Sequence, residues 1–288
     1  MSDGRSRTSP PGAAPDHAPG AEATGTAPGR GRMAGRRVVV IGAGRDDHGL
    51  ARTDLPPGNG QAMCRLLARE GAAVACADLS QDRALETLRL VESEGGRGVA
   101  LAADASREED VVRLLEQAAS GLGGLDGLVL NVGIGRGGML AGTSVADWDA
   151  TMAVNVRSHF LACKHGLPML DDGSAIVLVS SVAGTRPGSR MPAYDTSKAA
   201  LAGLARHAAL EGEKRRVRVN VVVPGLIDTP LGRLATQNRP SRTAGHLPLG
   251  RQGSPWEVAY ATLFLLCGES SYVNGHLLFV DGGLASIR

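Results

Sequence analysis

Aromatic residues are scarce in this chain: three Tyr, three Phe and two Trp make up 3% of 288 residues, so the position of each tyrosine is informative. Charge of one sign is also missing. Thirty-one basic residues face 29 acidic ones, net +2, which leaves no basic field of the kind a nucleic-acid binder needs. Cysteine pairs are absent. Cys64, Cys76, Cys163 and Cys267 lie far apart, with no CxxC and no ligand-like spacing, which argues against a disulfide framework or a metal site and fits a reducing, cytoplasmic setting. Long hydrophobic runs are missing too: the apolar stretch around 262–267 falls far short of the ~18 residues of a membrane span. Residues 1–36 contain no Leu, Ile, Val or aromatic residue. Such a segment buries too little apolar surface to offset its chain entropy, and a disordered tail is expected there. It has no apolar core like that of a secretory signal, and its Asp3, Asp16 and Glu22 do not suit a transit peptide. Met33 is an alternative start.

Glycine, by contrast, is abundant: 40 residues, about twice the usual ~7% and without collagen's period. From residue 37 onward, short β-branched runs at 38–41, 73–77, 98–101, 127–130, 175–179, 217–223 and 277–280 alternate with helical patterns. Seven strands with intervening helices predict an α/β domain over 37–288 built on a doubly wound, parallel seven-stranded sheet. Near-continuous apolar strands such as Ile176-Val-Leu-Val179 suit a sheet covered by helices on both faces. Leu201, Leu204, Ala205 and Ala208 form the buried stripe of one such helix.

Ligands of open parallel sheets bind at the carboxyl ends of the strands. The first strand runs into Gly42-Ala-Gly44, and Gly58-Asn-Gly60 leads into a helical segment, so backbone and a helix N-terminus converge where a pyrophosphate would be held. The same glycines also suit ordinary turns. Asp78 closes the second strand, where an acid hydrogen-bonds an adenine-ribose 2′-hydroxyl and repels a 2′-phosphate; NAD is therefore expected over NADP. The alternative for Asp78 is an acid at the start of a helix, beside the cap candidate Ser80. Asp104 lies near the adenine on the cofactor reading and is otherwise a loop residue.

Ser181 follows the fifth strand, Tyr194 lies 13 residues later, and Lys198 shares a helix face with it at i+4. Tuning a phenol from pKa ~10 to ~7 takes about 4 kcal/mol, an amount an ammonium ~4 Å away supplies at an effective dielectric of ~20. Ser181 would hold a substrate oxygen while Tyr194 moves its proton.

With these residues in place, the chain from 37 to about 284 resembles the short-chain dehydrogenase/reductase family. The resemblance is carried by Ser181-Val-Ala-Gly, Tyr194-Asp-Thr-Ser-Lys198, Arg218-Val-Asn220 through Pro224-Gly225-Leu-Ile227-Asp-Thr229-Pro230, and Tyr272-Val-Asn-Gly through Asp281-Gly-Gly283. It implies a single-domain Rossmann fold and a catalytic set of Ser181, Tyr194, Lys198 and Asn155, with Lys198 also on the nicotinamide ribose and Asn155 holding a relay water. It also implies cofactor contacts from Asn131, Gly133, Pro224, Gly225, Ile227 and Thr229, and a homotetramer or homodimer. Two departures stand out. Leu130-Asn131-Val132-Gly133 replaces the family's Asn-Asn-Ala-Gly. In the glycine turn, Ile41 replaces threonine, and 16 positions separate Gly42 from Gly58 where four are expected.

The extra stretch, 45–57, is read either as a surface excursion or as a flap over the cofactor that slows its exchange, so that purified protein carries NAD. A substrate lid is expected over 230–249. Its Arg233, Arg239, Arg242 and His246 are unopposed by acids and form either a solvated basic loop or a fork for an acidic or carrier-tethered substrate. The expected activity is NAD-dependent interconversion of a secondary alcohol and a ketone. The alternatives are an NADPH-dependent 3-oxoacyl or polyketide reductase and a non-catalytic nucleotide-binding scaffold.

Overall fold

The computed structural model describes residues 19–51, 53–237, 239–244 and 247–287, with the side chains of residues 242 and 244 left undescribed. Its strands are β1 (Arg37–Ile41), β2 (Ala73–Asp78), β3 (Arg97–Ala102), β4 (Gly127–Leu130), β5 (Ala175–Val179), β6 (Arg218–Pro224) and β7 (Leu277–Val280). All pairings are parallel, in the order β3-β2-β1-β4-β5-β6-β7. Each of the seven expected runs is a strand, with ends shifted by at most one residue. The helices are α1 (Ala21–Thr24), α2 (Asn59–Arg69), α3 (Gln81–Ser93), α4 (Glu108–Leu122), α5 (Val145–Met152), α6 (Ser158–Gly166), α7 (Pro192–Gly212), α8 (Pro230–Gln237), α9 (Ser241–Ala244) and α10 (Pro255–Leu266).

Strand residues alternate between the two faces of the sheet, and the core divides accordingly. Val38, Val40 and Val74 pack with Met63, Leu66 and Leu67 of α2 and with Val258, Leu263 and Leu266 of α10. Val39, Ile41 and Leu128 pack with Leu114 and Leu115 of α4, Leu161 of α6 and Leu201 of α7. Because β1 lies between β2 and β4, the winding reverses there and opens a crevice at the carboxyl ends of β1 and β4. Gly42 and Asn131 occupy its two lips.

The expectation of disorder through residue 36 is corrected for residues 19–36. That segment lies across α2 and α10. Buried Glu70 accepts the Arg30 and Arg32 backbone N–H groups at 3.0 Å and the Arg32 guanidinium at 2.7 Å. Arg69 donates to the carbonyls of Gly25 and Ala27, Met33 is buried, and Gly25 lies so close to Trp256 that a Cβ would overlap the indole. The segment has few apolar side chains and docks largely through its backbone, which side-chain hydrophobicity does not register. Residues 1–18 lie outside the described residues.

Candidate functional site

At the crevice, Gly42 adopts a left-handed conformation (φ +85°). Gly60, in the first turn of α2, sits so close that a Cβ would overlap the Gly42 carbonyl oxygen. Asn131 closes the other side, its side-chain amide donating to that same carbonyl at 2.8 Å. Gly58 precedes α2 as a cap without a side chain, so the first-turn N–H groups are left to a ligand. Asn59 Oδ1, at the same helix start, is buried with no hydrogen-bond partner among the described residues. Backbone brought together only because side chains are missing, an open helix N-terminus and an orphaned polar atom are features that fit a dinucleotide pyrophosphate.

Asp78 sits where the ribose argument requires, at the end of β2. One of its oxygens accepts the Gly44 N–H at 3.0 Å; the other accepts the Ser80 N–H and the Arg83 Nε, each at 3.0 Å. Arg83 also grips Asp46. It was not singled out from the sequence, because an arginine early in a helix carries no signature of its own. Asp104 accepts the Ser106 N–H and hydroxyl at 2.9 and 2.7 Å, a local turn that accounts for its position without a ligand. Gly225 packs against Asp281 so closely that a Cβ would come within 2.7 Å of it, directly after Pro224 closes β6. Ile227 is buried and bridges to Gly253, and Thr229 Oγ1 accepts the Gly232 N–H at 3.0 Å, capping α8.

The chemical residues converge beside this crevice. Lys198 is 5% exposed, donates to the Val179 carbonyl at 3.0 Å, and holds its Nζ 5.8 Å from the centroid of the Tyr194 ring. Burial pulls its ammonium down from the ordinary lysine range to about 8. Gly133 faces the pair; a Cβ there would lie 3.0 Å from Lys198 Nζ and 3.7 Å from Asn155 Oδ1. Asn155 lies in a π-helical turn, 153–157, between α5 and α6, a bulge that recurs at functional sites. Its amide is fully engaged, accepting the Ile134 N–H and donating to the Ile134 carbonyl, each at 2.8 Å, and donating to Ser197 Oγ at 2.9 Å. Ser197 donates in turn to the Tyr194 carbonyl at 2.7 Å, so one buried serine ties Asn155 to the tyrosine's helix. The sequence placed Ser197 inside the motif without giving it this task. Ser181 Oγ accepts the Ala183 N–H at 3.2 Å, leaving its O–H to donate. Ser180 anchors the Lys198 carbonyl at 2.7 Å.

Of the lid arginines, read either as a solvated basic loop or as a fork for an acidic substrate, Arg233 and Arg239 have partners within the protein. Arg233 is held by both Asp228 oxygens at 2.7 and 2.9 Å and donates to the Asp54 carbonyl at 3.0 Å. Its acidic partner comes from the loop just before the lid, outside the stretch whose acids were counted. Arg239 reaches the Ser189 carbonyl at 3.4 Å. The side chain of Arg242, and residues Arg52 and His246, lie outside what is described. Among the described residues no group of three or more His, Cys, Asp or Glu is placed to hold a metal, and no helix is long and apolar enough to cross a membrane.

A doubly wound sheet whose switch point is packed glycine backbone, with a buried lysine one turn beyond a tyrosine, is the architecture of a dinucleotide-binding oxidoreductase. The chain belongs to the short-chain dehydrogenase/reductase family. Residues 57–285 match the family model described as enoyl-(acyl carrier protein) reductase. The chain is similar to a glucose 1-dehydrogenase of Gluconobacter oxydans (33% identity, covering 90% of this chain and 95% of that protein). It is also similar to a 3-oxoacyl-(acyl-carrier-protein) reductase of Thermotoga maritima (33%, covering 81% and 95%). Among solved structures it resembles a blue fluorescent protein from a metagenomic library in complex with NADPH, with a TM-score of 0.79 at 32% identity over 88% of this chain and 100% of that one.

Proposed function

We propose that this protein is an NAD(H)-dependent oxidoreductase interconverting a secondary alcohol and a ketone, with Tyr194 as general acid/base. The observation that carries this reading is the Lys198 ammonium, buried against the Tyr194 ring and beside Gly133 and Asn155. Its Nζ lies 5.8 Å from the ring centroid, and an ammonium roughly 4–6 Å from a phenolate oxygen stabilises it by about 3–4 kcal/mol at an effective dielectric of ~20, on the order of what the tyrosine needs. Ser181 donates its O–H to the substrate oxygen, and Tyr194 takes or returns the hydroxyl proton. Asn155 holds the Ile134 backbone and the start of α7 in register. The nicotinamide, when bound, accepts or supplies the hydride. Gly42, Gly44, Gly58 and Gly60 would hold the pyrophosphate and Asp78 the adenosine ribose. Asn131, Gly133, Pro224, Gly225, Ile227, Thr229 and Lys198 would line the nicotinamide half, with Asp104 toward the adenine.

The preference for NAD rests on local charge. Asp46, Asp47, Asp78 and Glu86 gather there with Arg45, Arg83 and His48. Both arginines are already paired, Arg45 with Asp47 and Glu86 and Arg83 with Asp46 and Asp78. Among the described residues, a 2′-phosphate there meets four carboxylates and guanidinia that are already paired. The second reading, an NADPH-dependent 3-oxoacyl reductase, draws on the Thermotoga relative and on the NADPH-bound structural neighbour. Titration of the purified protein is expected to give at least about tenfold tighter binding of NADH than NADPH, about 1.4 kcal/mol; tighter NADPH would favour the second reading. A panel of secondary alcohols with NAD, followed by nicotinamide absorbance, is expected to show reduction. Binding without turnover on any member would favour a scaffold. Two or four copies are the expected assembly, for which Phe160 on α6, Leu210 on α7 and Phe279 on β7 present exposed apolar surface.

A further inference from the structure

The described residues of segment 45–57 are anchored at three places. At its start, Arg45 pairs with Asp47 at 3.0 Å and with Glu86 of α3 at 3.6 Å, and Asp46 grips Arg83, the residue that also holds Asp78. At its end, Gly58 returns so near its origin that a Cβ on it would lie 3.3 Å from the Gly44 carbonyl. Between these points the chain turns through two left-handed non-glycine residues, His48 (φ +53°) and Asp54 (φ +65°), conformations that persist only where neighbouring structure enforces them. At Asp54 it meets the lid: Arg233 of α8 donates to the Asp54 carbonyl while its other nitrogens are held by Asp228.

Asp78 and Gly44 mark the adenosine end of the crevice, and α8 follows Thr229 at the nicotinamide end. The segment is thus tied to Arg83 beside the one end and to Arg233 beside the other. Resting on the cofactor reading above, we propose that Arg233 clasps the 45–57 strap to the lid helix, so that the cover of the dinucleotide and the cover of the substrate open together. Arg233 is thus a positioning residue: it acts on the cofactor through the strap, and the fork that the sequence offered to a substrate anion is spent on Asp228 and Asp54.

The test compares Arg233→Ala with the unsubstituted full chain. NADH release is followed by fluorescence after addition of excess NAD, and hydrogen exchange is measured over 45–57 and over α8 with NADH bound. Loss of a charge-assisted bond predicts release about tenfold faster, with protection lost in both segments. If Arg233 only braces α8 through Asp228, protection falls in α8 alone and release is unchanged, which overturns the clasp while leaving the cofactor reading intact. Failure of the unsubstituted chain to bind NADH would overturn both.

Discussion

Lys198→Met is expected to cut turnover by orders of magnitude and to make the protein harder to unfold at neutral pH. Burial lowers the folded-state value of Lys198 to about 8 from 10.5, so between these values the unfolded chain binds more protons than the folded one. The resulting penalty is fully present below pH 8 and fades as pH rises through the unfolded value. A shift of that size corresponds to about 3 kcal/mol, offset by about 1 kcal/mol for the lost bond to the Val179 carbonyl. Denaturant unfolding at pH 7 should therefore show the variant more stable by about 2 kcal/mol, and the gain should shrink as pH approaches the unfolded value. Turnover should fall by about 100- to 10,000-fold, since the phenol loses the charge that tunes it. A variant less stable at pH 7 would mean that the ammonium is not buried at a cost.

Gly60→Ala is the second large effect, and its sign is decided by packing. Alanine in a helix interior is ordinarily favoured over glycine by about 1 kcal/mol. Here the added Cβ would overlap the Gly42 carbonyl oxygen and crowd the Asn131 amide at 2.8 Å, both of which belong to the crevice. Backbone cannot swing aside as a side-chain tip does, so overpacking of about 1–3 kcal/mol is expected. The larger loss should be in cofactor affinity, at least about 100-fold, or about 2.7 kcal/mol. Calorimetric titration with NADH, alongside thermal unfolding, separates the two. Undiminished affinity would remove Gly60 from the cofactor turn.

The strands were readable as short apolar runs, almost wholly buried in β1, β2, β4, β5 and β6 and only partly so in the edge strands β3 and β7, and only their terminal residues, set by pairing rather than composition, shifted. The pairing of Tyr194 with Lys198 was equally accessible, since helical spacing brings the two together, whereas Asn155 entered only through the family resemblance. The rest depended on partners distant in sequence. Arg233 looked free because Asp228 precedes the lid and Asp54 lies 179 residues away. The standing of Asp78 depends on Arg83, which no local pattern marks. Segment 19–36 looked structureless because backbone bonds to Glu70 and Arg69 leave no trace in side-chain hydrophobicity. Ser197 was hidden for a further reason: its task exists only once the π-helical turn at 153–157 brings Asn155 against α7.

The glycine excess has acquired a location. Gly42 and Gly60 pack backbone to backbone at the switch point, Gly133 makes room for the Lys198 ammonium, and Gly225 admits Asp281. The scarcity of tyrosine gives the remaining test its clarity, because only Tyr260 and Tyr272 accompany Tyr194. Tyr194→Phe removes one oxygen and leaves the ring beside Lys198. Turnover of any alcohol that the unsubstituted protein oxidises should fall by about 100- to 10,000-fold, with NADH affinity unchanged in a parallel titration; near-normal turnover in that variant would contradict the mechanism.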